Sequence, residues 1–151
     1  AEVTFHTPQE DRSFTLQCTF TPEESTVTVT APETVKGVTA TVSGEELTIA
    51  YDGAVLSADS EGRFGPVNAL PCLLQAIGSG YLLEEGRETL EDADCYRLTL
   101  DATAGDTPLK CTVWLDAETL LPRYAEFAAD DAVVVSAKLL AFSCTLNEDA
   151  N

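Results

Sequence analysis

Between residues 13 and 20 the chain alternates strictly: Phe14, Leu16, Cys18 and Phe20 interleave with Ser13, Thr15, Gln17 and Thr19. Successive side chains on an extended strand point to opposite faces, so this pattern builds a strand with one apolar and one polar face. Val27 and Val29, set among threonines, repeat it, as do Leu47, Ile49 and Tyr51. Valine and threonine also fit the pleated surface well. Turn residues punctuate the alternation. Thr7-Pro8-Gln9-Glu10 and Thr21-Pro22-Glu23-Glu24 place Pro where its fixed φ opens a turn, and Ser43-Gly44 and Asp52-Gly53 are tight hairpin signals. Residues 1–59 therefore predict about six short strands in succession, a meandering antiparallel sheet.

The period changes after Gly65-Pro66. Apolar residues now fall at Val67, Leu70, Leu73, Leu74 and Ile77, the spacing of a helix with one apolar stripe. Asn68 is placed to cap it, Pro71 is harmless in its first turn, and Gly78 or Gly80 ends it. Such a stripe must lie against something, and the apolar face of the sheet is the available surface. Strands resume at 81–90, 95–100, 109–115, 120–127 and 133–144, with a turn around Ala104-Gly105-Asp106. On the last of these, Val134, Leu140, Phe142 and Cys144 share one parity. The expected fold is mainly β with one or two helices: a curved antiparallel sheet, an incomplete barrel, covering a helix. No linker or repeat divides residues 1–146, which read as a single domain, and 147–151 read as a frayed tail.

Charge narrows the function. Twenty-six acidic residues face eight basic ones in 151, for a net charge of −18. Binding a phosphate backbone needs clustered cations, and here Arg12, Lys36, Arg63, Arg87, Arg97, Lys110, Arg123 and Lys138 are scattered singly. Nucleic acid and anionic lipid surfaces are excluded as partners. No apolar run approaches the ~20 residues that span a bilayer. The chain opens at Ala1 and contains no Met, so a secretion signal, and with it a lipid-anchor cysteine, is expected upstream.

No catalytic constellation is legible. The single histidine, His6, lies beside a turn near the start of the chain and reads as an exposed edge-strand residue. Nucleophilic catalysis needs a base within reach of the nucleophile, and no GxSxG elbow is present. Paired carboxylates fall in runs that read as turns, at Glu23-Glu24, Glu45-Glu46, Glu84-Glu85 and Asp130-Asp131. Cys18, Cys72, Cys95, Cys111 and Cys144 lack metal-ligand spacing, so no zinc or other metal is expected. Their apolar settings favour buried free thiols, with one or two disulfides left open. No cofactor is implied, and the chain reads as a binding or structural protein, not an enzyme.

Two segments carry a family resemblance. Val27-Thr28-Val29-Thr30-Ala31-Pro32-Glu33-Thr34-Val35-Lys36-Gly37, followed by Tyr51-Asp52-Gly53, resembles the strand–"SPE-x-hydrophobic-KG"–strand–"YDG" stretch of the LolA/LolB-like lipoprotein-carrier superfamily in its Gram-positive surface-lipoprotein branch, with Ala31 in place of Ser. Trp114-Leu115-Asp116-Ala117-Glu118-Thr119-Leu120-Leu121-Pro122 is similar to the "W-[IL]-D-x-x-[ST]-x-x-P" hairpin of the same superfamily. That family usually carries a helix before its first strand, whereas Ala1–Phe5 alternates like a strand. The resemblance implies an open half-barrel whose concave face holds an acyl chain or docks a protein.

The expected function is thus a non-enzymatic, extracytoplasmic lipoprotein domain, reaching the membrane only through an upstream anchor, that binds a hydrophobic ligand or a lipoprotein acyl chain. The candidate lining residues are Phe14, Leu16, Phe20, Val27, Val29, Ile49, Tyr51, Leu74, Ile77, Leu98 and Leu100. The alternative is a cell-envelope protein–protein interaction module without an internal cavity, its interior simply packed core.

Overall fold

The structure, a computed structural model, describes residues 1–21, 23–43, 46–59, 69–103 and 108–143, with backbone only at 56–59. Six strands come first: β1 (Glu2–His6), β2 (Asp11–Phe20), β3 (Glu24–Ala31), β4 (Thr39–Ser43), β5 (Glu46–Tyr51) and β6 (Ala54–Asp59). One helix, α1 (Ala69–Ser79), follows. Then come β7 (Leu82–Leu90), β8 (Ala93–Asp101), β9 (Lys110–Asp116), β10 (Pro122–Ala129) and β11 (Ala132–Lys138). The meander expected over residues 1–59 is present strand for strand. Asn68, Gly44, the 104–106 turn, Cys144 and the 147–151 tail lie outside the described residues.

All eleven strands form one antiparallel sheet in the order β6-β5-β4-β3-β2-β1-β11-β10-β9-β8-β7. Each neighbour is a chain neighbour except at the centre, where β1 pairs with β11 through Val3↔Ala137 and Phe5↔Val135. The outer edges are β6 and β7, the two strands that flank α1 in sequence. Bulges at Thr30, Leu83, Arg123 and Val134 each add a residue to one strand of a pair. A bulge bends its strand and increases the local twist, which lets so wide a sheet curl around a helix.

The concave face is the apolar one. Val3, Leu16, Val27, Val29, Leu100, Cys111, Val113, Ala125, Phe127, Val135 and Ala137 form one buried cluster with Ala69, Leu70, Leu73 and Ala76 of α1. The helix touches β2 on one side of the central strands and β8 on the other, so it lies across the middle of the sheet. Its buried stripe is rotated from the expected one: Leu73 is fully buried, Leu74 half-buried and Ile77 39% exposed. Ala69, Leu70, Pro71, Leu73 and Ala76 make up the buried side, and Leu74 and Ile77 fall on its outer flank. Gly80 ends the helix because there is no room for a side chain, a Cβ there falling 2.6 Å from the Ala76 carbonyl oxygen and 3.1 Å from that of Asp101.

Three other expectations are corrected. β11 stops at Lys138, so Leu140 and Phe142 do not extend its apolar face, and Leu140 is 59% exposed. Glu84 and Glu85 lie within strand β7 and not in a turn, because the bulge at Leu83 carries the strand through them. His6 is not on an edge: β1 is an interior strand, with β2 and β11 on its two sides.

Both resemblance segments are built structures. Pro32 follows a cis peptide, residues 33–35 form a 3-10 turn, and Gly37 at φ +96° brings the chain back to hydrogen-bond Val29. In the second, the Asp116 carboxylate accepts from the amides of Glu118 (2.9 Å) and Thr119 (3.0 Å), and the Leu121 amide donates to the Thr119 hydroxyl. Asx and Thr side chains close turns in this way.

Candidate functional site

Leu16, Val27, Val29 and Leu100 are buried in the concave core, with Phe14 and Leu98 packed half-buried at its margin. These six are brought together. The other five are not in that cluster: Ile49 and Leu74 are half-buried, and Phe20, Tyr51 and Ile77 are exposed. Tyr51 ends β5, far out on the β4–β6 wing, and Phe20 ends β2.

A surface cleft lies at the β1–β2 turn, beside the core. Here Phe5, Thr7, Pro8, Gln9, Glu10, Arg12 and Phe14 line a cleft of about 370 Å³. Phe5 and Phe14 form an apolar floor continuous with the buried cluster. They face the same side because Phe5↔Arg12 and Val3↔Phe14 are cross-strand pairs. The polar rim is fixed: the Thr7 hydroxyl and the Glu10 backbone bond each other, and the Arg12 guanidinium donates to Glu10 Oε1 from Nε (3.1 Å) and Nη2 (3.0 Å). This volume is at the lower end of the range for small-molecule sites, ~300–1,000 Å³. An apolar floor under a polar rim suits a ligand with a greasy body and a polar end. Of these residues sequence reasoning found only Phe14; the parity of Phe5 on β1 was the available signal for another.

On the convex face, side chains join in a cross-strand chain that sequence reasoning missed. Asp11 Oδ1 lies 3.1 Å from His6 Nδ1, and His6 Nε2 lies 2.9 Å from Ser136 Oγ. Tyr124 shares a hydrogen bond with Ser136, its ring packs tilted at 54° with centroids 5.3 Å from Trp114, and Trp114 Nε1 donates to Glu88. Burial, together with the neighbouring Glu126, pushes the Tyr124 phenol up. The order Asp11–His6–Ser136 is that of an acyl-transfer triad, yet its surroundings oppose that chemistry. Ser136 lies mid-strand between β1 and β10, where ladder pairing consumes the backbone donors that would hold an oxyanion, and Glu126 lies directly opposite it. A carboxylate there repels the charge such a step must build. The chain of bonds ties strands together instead.

The described thiols are no better placed as nucleophiles. Burial pushes Cys18 and Cys72 up to about 11 and Cys111 up to about 12, which keeps them protonated at neutral pH. Cys18, Cys72, Cys95 and Cys111 are free. Among the described residues no cluster of three or more potential metal ligands exists, and no helix is long and apolar enough to cross a membrane.

No family model matches the sequence, and no curated protein matches it either. Solved structures do. An uncharacterized conserved protein from Thermus thermophilus superposes with a TM-score of 0.56 at 16% identity, over 98% of this chain and 79% of that one. A LolA superfamily protein from Nitrosomonas europaea gives 0.53 at 17% identity, over 97% and 70%. A chain of the CwlD amidase–GerS lipoprotein complex from Clostridioides difficile gives 0.53 at 13% identity, over 96% and 84%. The fold is LolA-like: an open, curved sheet with eleven strands and one helix among the described residues.

Proposed function

We propose that this LolA-like chain is a non-catalytic, extracytoplasmic binding domain that takes up a hydrophobic or lipidated ligand through the cleft at the β1–β2 turn. The observation that carries this reading is the continuity of Phe5 and Phe14, the floor of that cleft, with the apolar core beneath α1. The candidate lining set divides accordingly. Phe14 meets the ligand first, and Leu16, Val29 and Leu100 become accessible only if the core opens, since they are buried in one cluster with α1. The likeness in fold to a LolA superfamily protein supports an extracytoplasmic location and a lipid ligand. The absence of a workable oxyanion site near Ser136 among the described residues supports a role without chemistry.

The test uses an environment-sensitive fluorescent fatty acid. It should bind the wild-type protein, and Gln9→Trp, which plugs the cleft from an exposed loop position, should weaken binding at least tenfold with the melting temperature unchanged. Equal binding by the plugged variant, or none by the wild type together with no lipid on solvent extraction, overturns the reading. A second reading, a protein-interaction module, is favoured by a different surface, the β7 edge.

A further inference from the structure

Strand β7 ends the sheet, so one side of its backbone carries no partner among the described residues. Which groups are unpaired follows from the hairpin that joins it to β8. Glu91 and Asp92 form a two-residue turn with φ of 49° and 65°, and Leu90↔Ala93 closes it. The pair flanking such a turn exchanges both of its hydrogen bonds, and bonding direction alternates along an antiparallel strand. Leu90, Glu88, Gly86 and Glu84 therefore turn their backbone groups toward β8. Thr89, Arg87 and Glu85 turn theirs outward, a row of donors and acceptors ready to receive another strand.

The side chains define what that strand looks like. At the start of the edge, Tyr81 is 81% exposed, Leu82 52% and Leu83 49%, an apolar corner. Next come Glu84 and Glu85, on opposite faces of the sheet, and neither has an ion pair or hydrogen bond among the described residues. Arg87, the cation of the strand, is already held by Asp94, and Glu88 by Trp114. A second copy of this chain is a poor occupant. Antiparallel pairing about Gly86 would set Glu84 against Glu88 twice, with Glu85 facing an Arg87 already held by Asp94, and would join two chains of net charge −18. The same carboxylates that oppose self-pairing match a cationic strand, so the edge repels the wrong partner and attracts the right one.

We infer that the β7 edge is a docking site for an extended segment of a partner protein, which adds a twelfth strand, setting an apolar residue against Tyr81–Leu83 and Lys or Arg against Glu84 and Glu85. This surface is separate from the β1–β2 cleft, so it stands or falls independently of the lipid reading.

The probe is an acetylated nine-residue peptide alternating Val and Thr with two central lysines, compared with one carrying two central glutamates. At low salt the lysine peptide should bind, and hydrogen exchange should slow at the amides of Glu85, Arg87 and Thr89 while others are unchanged. Glu85→Pro and Thr89→Pro remove outward donors without touching the β8 ladder, and each should cut affinity at least tenfold with the fold intact by circular dichroism. Glu84→Lys/Glu85→Lys leaves the backbone alone and should reverse the preference toward the glutamate peptide. Equal binding of both peptides, protection elsewhere, or affinity unaltered in the proline variants overturns the inference. So does a concentration-dependent dimer that those variants abolish, which would give the edge to a second copy.

Discussion

Asp116 shows how one carboxylate organises a turn. It accepts from two backbone amides and from Arg123 Nη1 at 3.0 Å, and Leu120 beside it adopts φ +61°. The two amide bonds, then the guanidinium, hold its carboxyl below the usual carboxylate range. A carboxyl depressed in the folded state adds stability that is complete above its unfolded value, ~3.9, and fades as pH falls through the folded value. Asp116→Ala should therefore melt below wild type at pH 7, by more than a Glu118→Ala control does. The gap should narrow only below about pH 4, as thermal melts across pH would read. A gap that stays constant down to pH 2 would mean the charge is irrelevant. This turn was legible from Asp116 and Thr119 alone, because Asx chemistry is local. The Asp11–His6–Ser136 alignment was not, since it joins residues 130 positions apart and requires knowing that β1 pairs with β11.

At the level of elements, strands declared themselves through parity. The β5–β6 turn at Asp52-Gly53, with φ of 49° and 82°, sits where its sequence placed it. Parity cannot report bulges. Leu83 shifts the register of β7 by one, which is why Glu84-Glu85 read as a turn when it is strand. The helix was legible in place but not in rotation, because helical spacing gives a stripe and the partner's shape decides which side of it is used. Ala69 and Ala76 are buried where Leu74 and Ile77 are not. Leu73, with no exposed surface, is the anchor of that contact. Leu73→Ala should cost about 3 kcal/mol in urea unfolding by leaving a cavity that the sheet cannot close. A loss under about 1 kcal/mol would show that α1 is loosely held.

Over the whole molecule the dominant force beyond packing is self-repulsion. With 26 acidic residues against eight basic ones, the folded state concentrates charge that the unfolded chain spreads out. Raising NaCl from ~10 mM to ~0.15 M shortens the screening length from ~30 to ~8 Å. The melting temperature should rise by roughly a few degrees, and a fall would show that the exposed ion pairs such as Arg87–Asp94 outweigh the repulsion.

The central seam also sets a clock. Every hairpin of the meander encloses a short loop, but the β1–β11 pairing encloses nearly the entire polypeptide. Ordering so long a loop costs more entropy, and non-local pairing is slow. Of the eleven strands β1 comes first in the chain and β11 last, so wherever the chain folds, the flank of β1 toward the centre stays unclaimed until β11 is at hand.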